Sequence, residues 1–174
     1  MGSFKSFKGI MMIAISMIAF SAHSFGQATA SATATATIVT PIAISKTVDM
    51  NFGNVAVIAS GTVVLAPASS RTATGGVTLP NVTGTVAAAS FAVTGQGNYT
   101  YSITLPSSAY TITDLASNTM TVTSFVSTPT VASGGTLSSG AQTLLVGATL
   151  NVGAAQTAGV YTNSTGFNVT VNYN

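Results

Sequence analysis

Apolar and polar residues alternate in short runs along most of this chain, and turn-forming residues separate the runs. A period of two places apolar side chains on one face of a β-strand, and no window after residue 26 keeps a helical 3.6-residue period over ten residues. Thr and Val, which favour pleated strands, recur throughout. Strands are predicted at Ile42–Ser45, Val55–Ile58, Thr62–Leu65, Gly76–Leu79, Ala88–Val93, Tyr99–Leu105, Tyr110–Ile112, Met120–Phe125, Gln142–Val146, Thr149–Val152 and Phe167–Tyr173.

The connections between these runs carry turn chemistry. Gly, Asn, Ser and Pro cluster at residues 67–70, 95–98 and 163–166, and such clusters mark turns and loops. The low-complexity stretch 127–140 is predicted to be a long surface loop or a ragged hairpin. Many short strands joined by Gly-rich turns predict an all-β domain, either a sandwich or a barrel.

The alternation is strongest at the two ends of the chain. The C-terminal run is predicted to bury one face of a last strand, through Phe167, Val169, Val171 and Tyr173. Near the start, small apolar side chains alternate strictly with hydroxyls, and the apolar set is Ala30, Ala32, Ala34, Ala36 and Ile38.

Neither 28–40 nor 161–174 contains Lys or Arg, although exposed strand edges are usually protected by charges, Pro or bulges. Two alternatives follow for the first of these segments. It completes its own domain, or it is a donor strand that pairs with another chain by β-augmentation.

The first residues have the pattern of a secretory signal. Lys5 and Lys8 precede the apolar run Gly9–Phe20, and small residues follow up to Gly26. Twelve apolar residues are too few to span a bilayer, which needs about 20, so residues 1–26 are predicted to be a cleaved signal peptide. The exported chain is then residues 27–174, predicted to form a single domain that does not span a membrane.

Removal of the signal changes the charge. The full chain has a formal net charge of +2, but the exported part keeps Lys46, Arg71, Asp49 and Asp114, which sum to zero, and it has no His, Cys or Glu. A basic surface for nucleic acid is therefore not expected. General acid–base and nucleophilic chemistry need tuned titratable groups, and zinc needs N or S ligands. We expect no enzyme activity, cofactor or metal, and we interpret both Asp residues as turn or solvated residues.

The residues also resemble a family. Asn51-Phe52-Gly53, the run 91–95 followed by 101–106, and 147–152 followed by 158–161 and 166–173 are similar, in this order, to the bacterial domain-of-unknown-function family 4402. Residues 34–38 with Pro41 fit the same pattern at the start. The resemblance implies an exported antiparallel β-sandwich, Ig-like or pilin-like. The last strand is also similar to those of pilins and spore-coat-U-type subunits, although the pilin disulfide is absent.

The leading functional hypothesis is a non-catalytic, fimbria-like or cell-surface assembly or adhesion subunit that uses strand pairing. Its expected partners are further copies or other surface subunits, with a periplasmic chaperone as a candidate. The expected location is the periplasm, the outer surface or the extracellular medium. The alternatives are a small outer-membrane β-barrel, from the alternating segments of about ten residues, and a secreted carbohydrate-binding β-sandwich module.

Overall fold

The computed structural model describes residues 26–174, and every regular element in this range is a β-strand. Residues Ile38–Asn174 form one compact unit, and the described residues 26–37 belong to a separate one. The strands are β1 (Ala43–Val48), β2 (Ala56–Leu65), β3 (Arg71–Thr78), β4 (Ala89–Thr94), β5 (Thr100–Thr104), β6 (Tyr110–Thr113), β7 (Thr119–Thr128), β8 (Gly135–Thr136), β9 (Ala141–Val152) and β10 (Thr170–Tyr173).

The larger sheet is organised around β9, the longest strand, and all its pairings are antiparallel. One half of β9 pairs with β4 and the other half pairs with β2, while β7 pairs with it over Leu145–Asn151. Gly147 lies where β4 gives way to β2, and a Cβ there would meet the carbonyl oxygen of Leu65 at 2.2 Å. A side chain at this position would therefore prevent the close approach of the two backbones. The remaining strands, β1, β3 and β6, pair with β4, β2 and β7.

The smaller sheet has three strands, in the order β10-β5-β8. Tyr101 and Ile103 of β5 and Val171 of β10 alternate inward and pack against the larger sheet. The first core cluster is formed between the two sheets by Ala89, Phe91, Val93, Tyr101, Ile103, Leu137, Leu144, Val146 and Val171. The predicted all-β fold with antiparallel sheets is thus confirmed.

A second core cluster lies farther along β9, on the larger sheet. Its buried members are Val63, Val77, Val122, Ala148, Leu150 and Val152. The large side chains packed around it, among them Met50, Phe52 and Met120, are only partly buried. None of the three strands of the smaller sheet contributes a residue to this cluster.

Most of the predicted strands are present, and several are longer than predicted. The runs predicted at 55–58 and 62–65 form one strand, β2, and those at 142–146 and 149–152 form β9. β3 begins at Arg71, ahead of the predicted start at Gly76. The stretch 127–140 contains the end of β7 and the two residues of β8. These two strands lie in different sheets and do not pair with each other, so the stretch is a connection between the sheets and the alternative of a ragged hairpin is wrong.

Residues Ala30–Ile38 do not form a strand of their own domain in this structure, which is one of the two alternatives for this segment. Residues 26–42 belong to no strand, and residues 26–38 are all exposed. Ordering a backbone residue costs roughly 1–2 kcal/mol, and an Ala methyl group returns little apolar burial for that cost. The predicted signal peptide, residues 1–26, lies outside the described residues except for Gly26, and its cleavage stays a prediction.

Candidate assembly surface

The four charged side chains of residues 26–174 have structural or solvated settings. Lys46 and Asp49 form an exposed ion pair three residues apart. Two hydrogen bonds direct Nη1 of Arg71 to the carbonyl oxygens of Phe52 and Asn54. These contacts make Arg71 a support for the chain around residue 53, a role for which the sequence alone gives no signal.

Asp114 is a turn residue, as the sequence interpretation expects. Its Oδ1 accepts the backbone N–H groups of Ala116 at 2.9 Å and of Asn118 at 2.8 Å, and its Oδ2 accepts the side-chain amide of Asn118 at 2.7 Å. The Asn118 side chain, followed by weaker effects, lowers the pKa of Asp114 below its usual value. The charged form is therefore the one that closes the β6–β7 turn.

The family-like motif Asn51-Phe52-Gly53 builds a tight turn. Oδ1 of Asn51 accepts the N–H of Gly53 at 2.8 Å, and the backbone of Asn51 forms a two-way bridge with Ala87. Gly53 has a φ of 67°, and a Cβ there would lie 2.3 Å from the carbonyl oxygen of Thr83. The motif thus has a conformational role, and its Phe52 side chain lines the groove described below.

The C-terminal strand is placed as predicted on its buried face. Val171 is buried, Phe167, Val169 and Tyr173 are half-buried, and the residues between them are exposed. Regular pairing is shorter than the alternation, because only Thr170–Tyr173 pair with β5. Phe167 nevertheless packs into the core, with ring centroids 4.9 Å from Phe125 and 6.4 Å from Phe91.

The penultimate residue, Tyr173, connects three parts of the domain. Its hydroxyl donates to the carbonyl oxygen of Thr40 at 2.7 Å and accepts the N–H of Gln96 at 2.6 Å. The side chain of Gln96 in turn accepts the N–H of Thr40. A Cβ on Gly95 would lie 2.2 Å from the Tyr173 oxygen. We call Thr40, Gln96 and Tyr173 the clasp; sequence reasoning missed Thr40 and Gln96.

The sheet edges differ in how well they are protected. β3 carries Arg71 and the irregular pair Gly75–Gly76, β6 is capped by a bridge between Thr113 and Thr162, and β8 has two residues. β1 carries the Lys46 charge and a register shift. β6, β8 and β10 all lack a charge, a Pro and a bulge. Of these three described edges, β10 is longer than the two residues of β8 and has no isolated bridge like that of β6, so it is open to pairing with another strand.

A groove of about 930 Å³ lies beside the second core cluster. Its lining reaches Phe167, three residues before β10, and includes no residue of β10. Its floor consists of apolar side chains from β6, β7 and β9, including Ile112, Met120 and Val152. One wall is the segment 49–57 and the other is 156–167, which together bring Asn51, Asn54, Gln156 and Asn163 to the rim. On the second wall, Val160 is 83% exposed, so part of the apolar surface is uncovered.

The donor residues predicted from the sequence are exposed and unpaired. Ala30, Ala32, Ala34 and Ala36 are all exposed, and Ile38 is 97% exposed. They do not complete a sheet here, so the reading in which this segment is a strand of its own domain lacks support. Within residues 26–174, no helix is long and apolar enough to cross a membrane, and no three His, Cys, Asp or Glu side chains come together.

The fold and its open edge define the class of the molecule, an antiparallel all-β domain with a free, uncharged C-terminal strand. The chain belongs to the family described as Domain of unknown function (DUF4402), which matches residues 42–173. The predicted resemblance is thereby confirmed, although the match begins after residues 34–41. The comparisons with curated proteins and with solved structures each return no match.

Proposed function

We propose that the protein is a non-catalytic, exported structural subunit that assembles into a fimbria-like or other surface layer by strand pairing. In this proposal, residues 30–38 are the strand that one copy donates to another. The observation that carries it is a pair of complementary features: an exposed, strandless segment with perfect alternation and the charge-free edge of β10. Such a segment supplies a row of N–H and C=O groups, which is what β-augmentation requires.

The surroundings of the charged groups support the non-catalytic part of the proposal. Asp114 is engaged by three donors within its own turn, and Asp49 pairs with Lys46 at the surface. Arg71 is directed to backbone carbonyl groups. A general base needs a lone pair directed towards a substrate, and the present contacts use these groups for folding instead.

Deletion of the donor segment tests the proposal. Two chains are purified, one beginning at Gln27 and one beginning at Val39, and each is concentrated and followed by light scattering and negative-stain electron microscopy. We expect polymers from the longer chain and a monomer from the shorter one. Equal polymerisation of both chains would show that the donor role is wrong.

A single substitution distinguishes backbone strand pairing from nonspecific apolar association of the segment. Thr35→Pro removes a backbone N–H and breaks the ladder, whereas Thr35→Ala keeps the backbone and increases apolarity. We expect at least a tenfold loss of polymer for Thr35→Pro and little loss for Thr35→Ala. Labelled antibody on producing cells then tests the location, since a cytoplasmic label would contradict export.

A further inference from the structure

The structure shows where a donated strand would be received. Thr40 lies just before β1, and its hydrogen bond to Tyr173 places the start of β1 beside the end of β10. β1 therefore leads away from the clasp while β10 leads towards it. β1 is one edge of the larger sheet and β10 is one edge of the smaller sheet, and the described residues show no strand pairing between them.

The segments that follow β1 and precede β10 along the chain line the groove. Beyond β1, the chain forms one wall of the groove with residues 49–57, and ahead of β10 it forms the other wall with residues 156–167. Met50 packs against both core clusters, and Phe167 packs against the first cluster while it also lines the groove. We use the term acceptor cleft for the whole gap, bounded by residues 43–57 and 156–173.

We propose that the acceptor cleft binds residues 30–38 of a second copy, added as a strand along the free edge of β10. The inference rests on the proposed function and names the surface that it requires. Nine residues of extended chain span roughly 30 Å. The four residues of β10 would pair with part of this length, and the rest of the donor would extend towards the groove. Neither the donor segment nor residues 156–173 contain a charged residue, so pairing along β10 itself places no charged side chain between the two strands. Lys46 and Asp49, on the opposite boundary of the cleft, form an exposed ion pair with each other.

The side chains of the two partners also agree in polarity. Phe167 and Phe125 pack on each other and on the first core cluster, to which Val171 of β10 belongs. The Ala side of a donor paired with β10 would continue the apolar face of Val171, and its Thr side would lie on the same face as the exposed Thr170 and Asn172. Main-chain hydrogen bonds would supply most of the binding free energy. Burial of Ile38 and Val160, which are exposed in the single copy, would add an apolar contribution.

This arrangement is heterologous, because one copy contributes its donor segment and the next contributes its cleft. A heterologous contact that does not close into a ring gives an open filament. The clasp holds Thr40, two residues after the donor segment, beside the end of β10. The donor segment therefore leaves each copy next to the end of its own β10.

Disulfide trapping between two single-cysteine chains tests the proposal, since the natural sequence has no Cys. One chain carries Asn172→Cys, and the other carries Cys in place of Thr33, Thr35 or Thr37. Neighbouring strands bring side chains of one face within disulfide range. We expect one Thr position to give at least ten times more mixed dimer than Ala34→Cys, whose side chain faces the opposite way. Moving the acceptor cysteine to Thr170 should shift the preferred donor position by two residues.

Thr72→Cys on the exposed edge of β3 is the matched control, and it should trap no donor position above background. Equal trapping at Thr72 and Asn172, or equal trapping of Ala34 and the Thr positions, would overturn the proposal. So would a monomeric intramolecular disulfide in a chain carrying both Thr35→Cys and Asn172→Cys. If removal of residues 27–38 abolishes polymers but β10 traps nothing, the cleft assignment fails and the proposed function stands. If polymers survive the deletion, the proposed function itself fails.

Discussion

The two terminal segments share one sequence pattern but differ in whether they are buried. Ala30–Ile38 and Phe167–Tyr173 both alternate apolar and polar residues without a charge, yet the first is exposed throughout and the second packs on the core. The apolar positions hold four Ala residues and a terminal Ile in one segment, and Phe, Val and Tyr in the other. Alternation thus predicts which face of a strand would be buried, while the size of the side chains decides whether burial offsets the entropy of ordering.

The largest effect is expected from shortening an apolar side chain in the C-terminal segment. Phe167→Ala removes ring contacts with Phe91, Tyr110 and Phe125 and should lower the free energy of unfolding by about 2–3 kcal/mol, somewhat below the range for a fully buried Phe. Urea denaturation of the chain beginning at Gln27 measures it. The exposed neighbour offers a control, since Asn168→Ala should stay within about 0.5 kcal/mol; similar losses for the two variants would break the comparison.

The clasp should contribute the next largest effect. Tyr173→Phe keeps the ring against Tyr99, at a centroid distance of 5.6 Å, but removes the hydroxyl that joins Thr40 and Gln96. We expect a loss of about 1–2 kcal/mol in urea denaturation, as for two net hydrogen bonds in a half-buried site. Hydrogen exchange at Gln96 should also accelerate. An unchanged exchange rate there would contradict the clasp.

A pH effect tests the strand that pairs with β10. Tyr101 is fully buried opposite Tyr173, and burial raises the pKa of its phenol above 10.0. The neutral phenol is favoured in the folded state, so its contribution is complete below pH 10 and is lost as pH rises through the folded pKa. By pH 10.5 the stability should fall by at most about 0.8 kcal/mol from this group. Tyr101→Phe should show a shallower alkaline decline in urea midpoints, and an equal slope would exclude this origin.

The smallest effect on stability is expected at the other end. Removal of residues 27–38 should change the free energy of unfolding of the monomer by less than about 0.5 kcal/mol, because these side chains are exposed and form no strand. Dilute samples and urea denaturation keep assembly out of the measurement. A loss above about 1 kcal/mol would mean that the segment pairs with its own domain in solution.

Much of the fold follows from local pattern. The buried runs around Ala89–Thr94 and Ala141–Val152 combine β-branched residues with turn signals at both ends, and such runs form strands in almost any all-β context. β3 was partly missed because Gly75 and Gly76 interrupt its alternation. It is held by pairing with β2 and by the hydroxyl contact of Thr62 and Thr74 at 2.7 Å, which depend on the neighbouring strand.

The candidate surface was less predictable, again because its contacts depend on residues that are distant along the chain. The uncharged strand ending at Tyr173 is visible in the sequence, but its partners Thr40 and Gln96 lie 133 and 77 residues away. Polar contacts at such separation are set by topology and leave no periodic signal. The role of Arg71 was equally hard to predict. Its acceptors are backbone carbonyl groups, which every residue has, so the sequence does not show which residues it will contact.

The clasp has a topological consequence. Since the hydroxyl of Tyr173 contacts the carbonyl group of Thr40, the chain just before β1 and the end of β10 are neighbours in space. Domains with adjacent ends tolerate circular permutation and insertion into a host loop. A short peptide could join Asn174 to Ile38, with new chain ends in the exposed Leu115–Ser117 turn. The resulting chain would form the same sheets, but its strands would follow one another along the sequence in a different order. A reporter fused after Asn174 would, for the same reason, lie close to Thr40, where the N-terminal segment joins the domain.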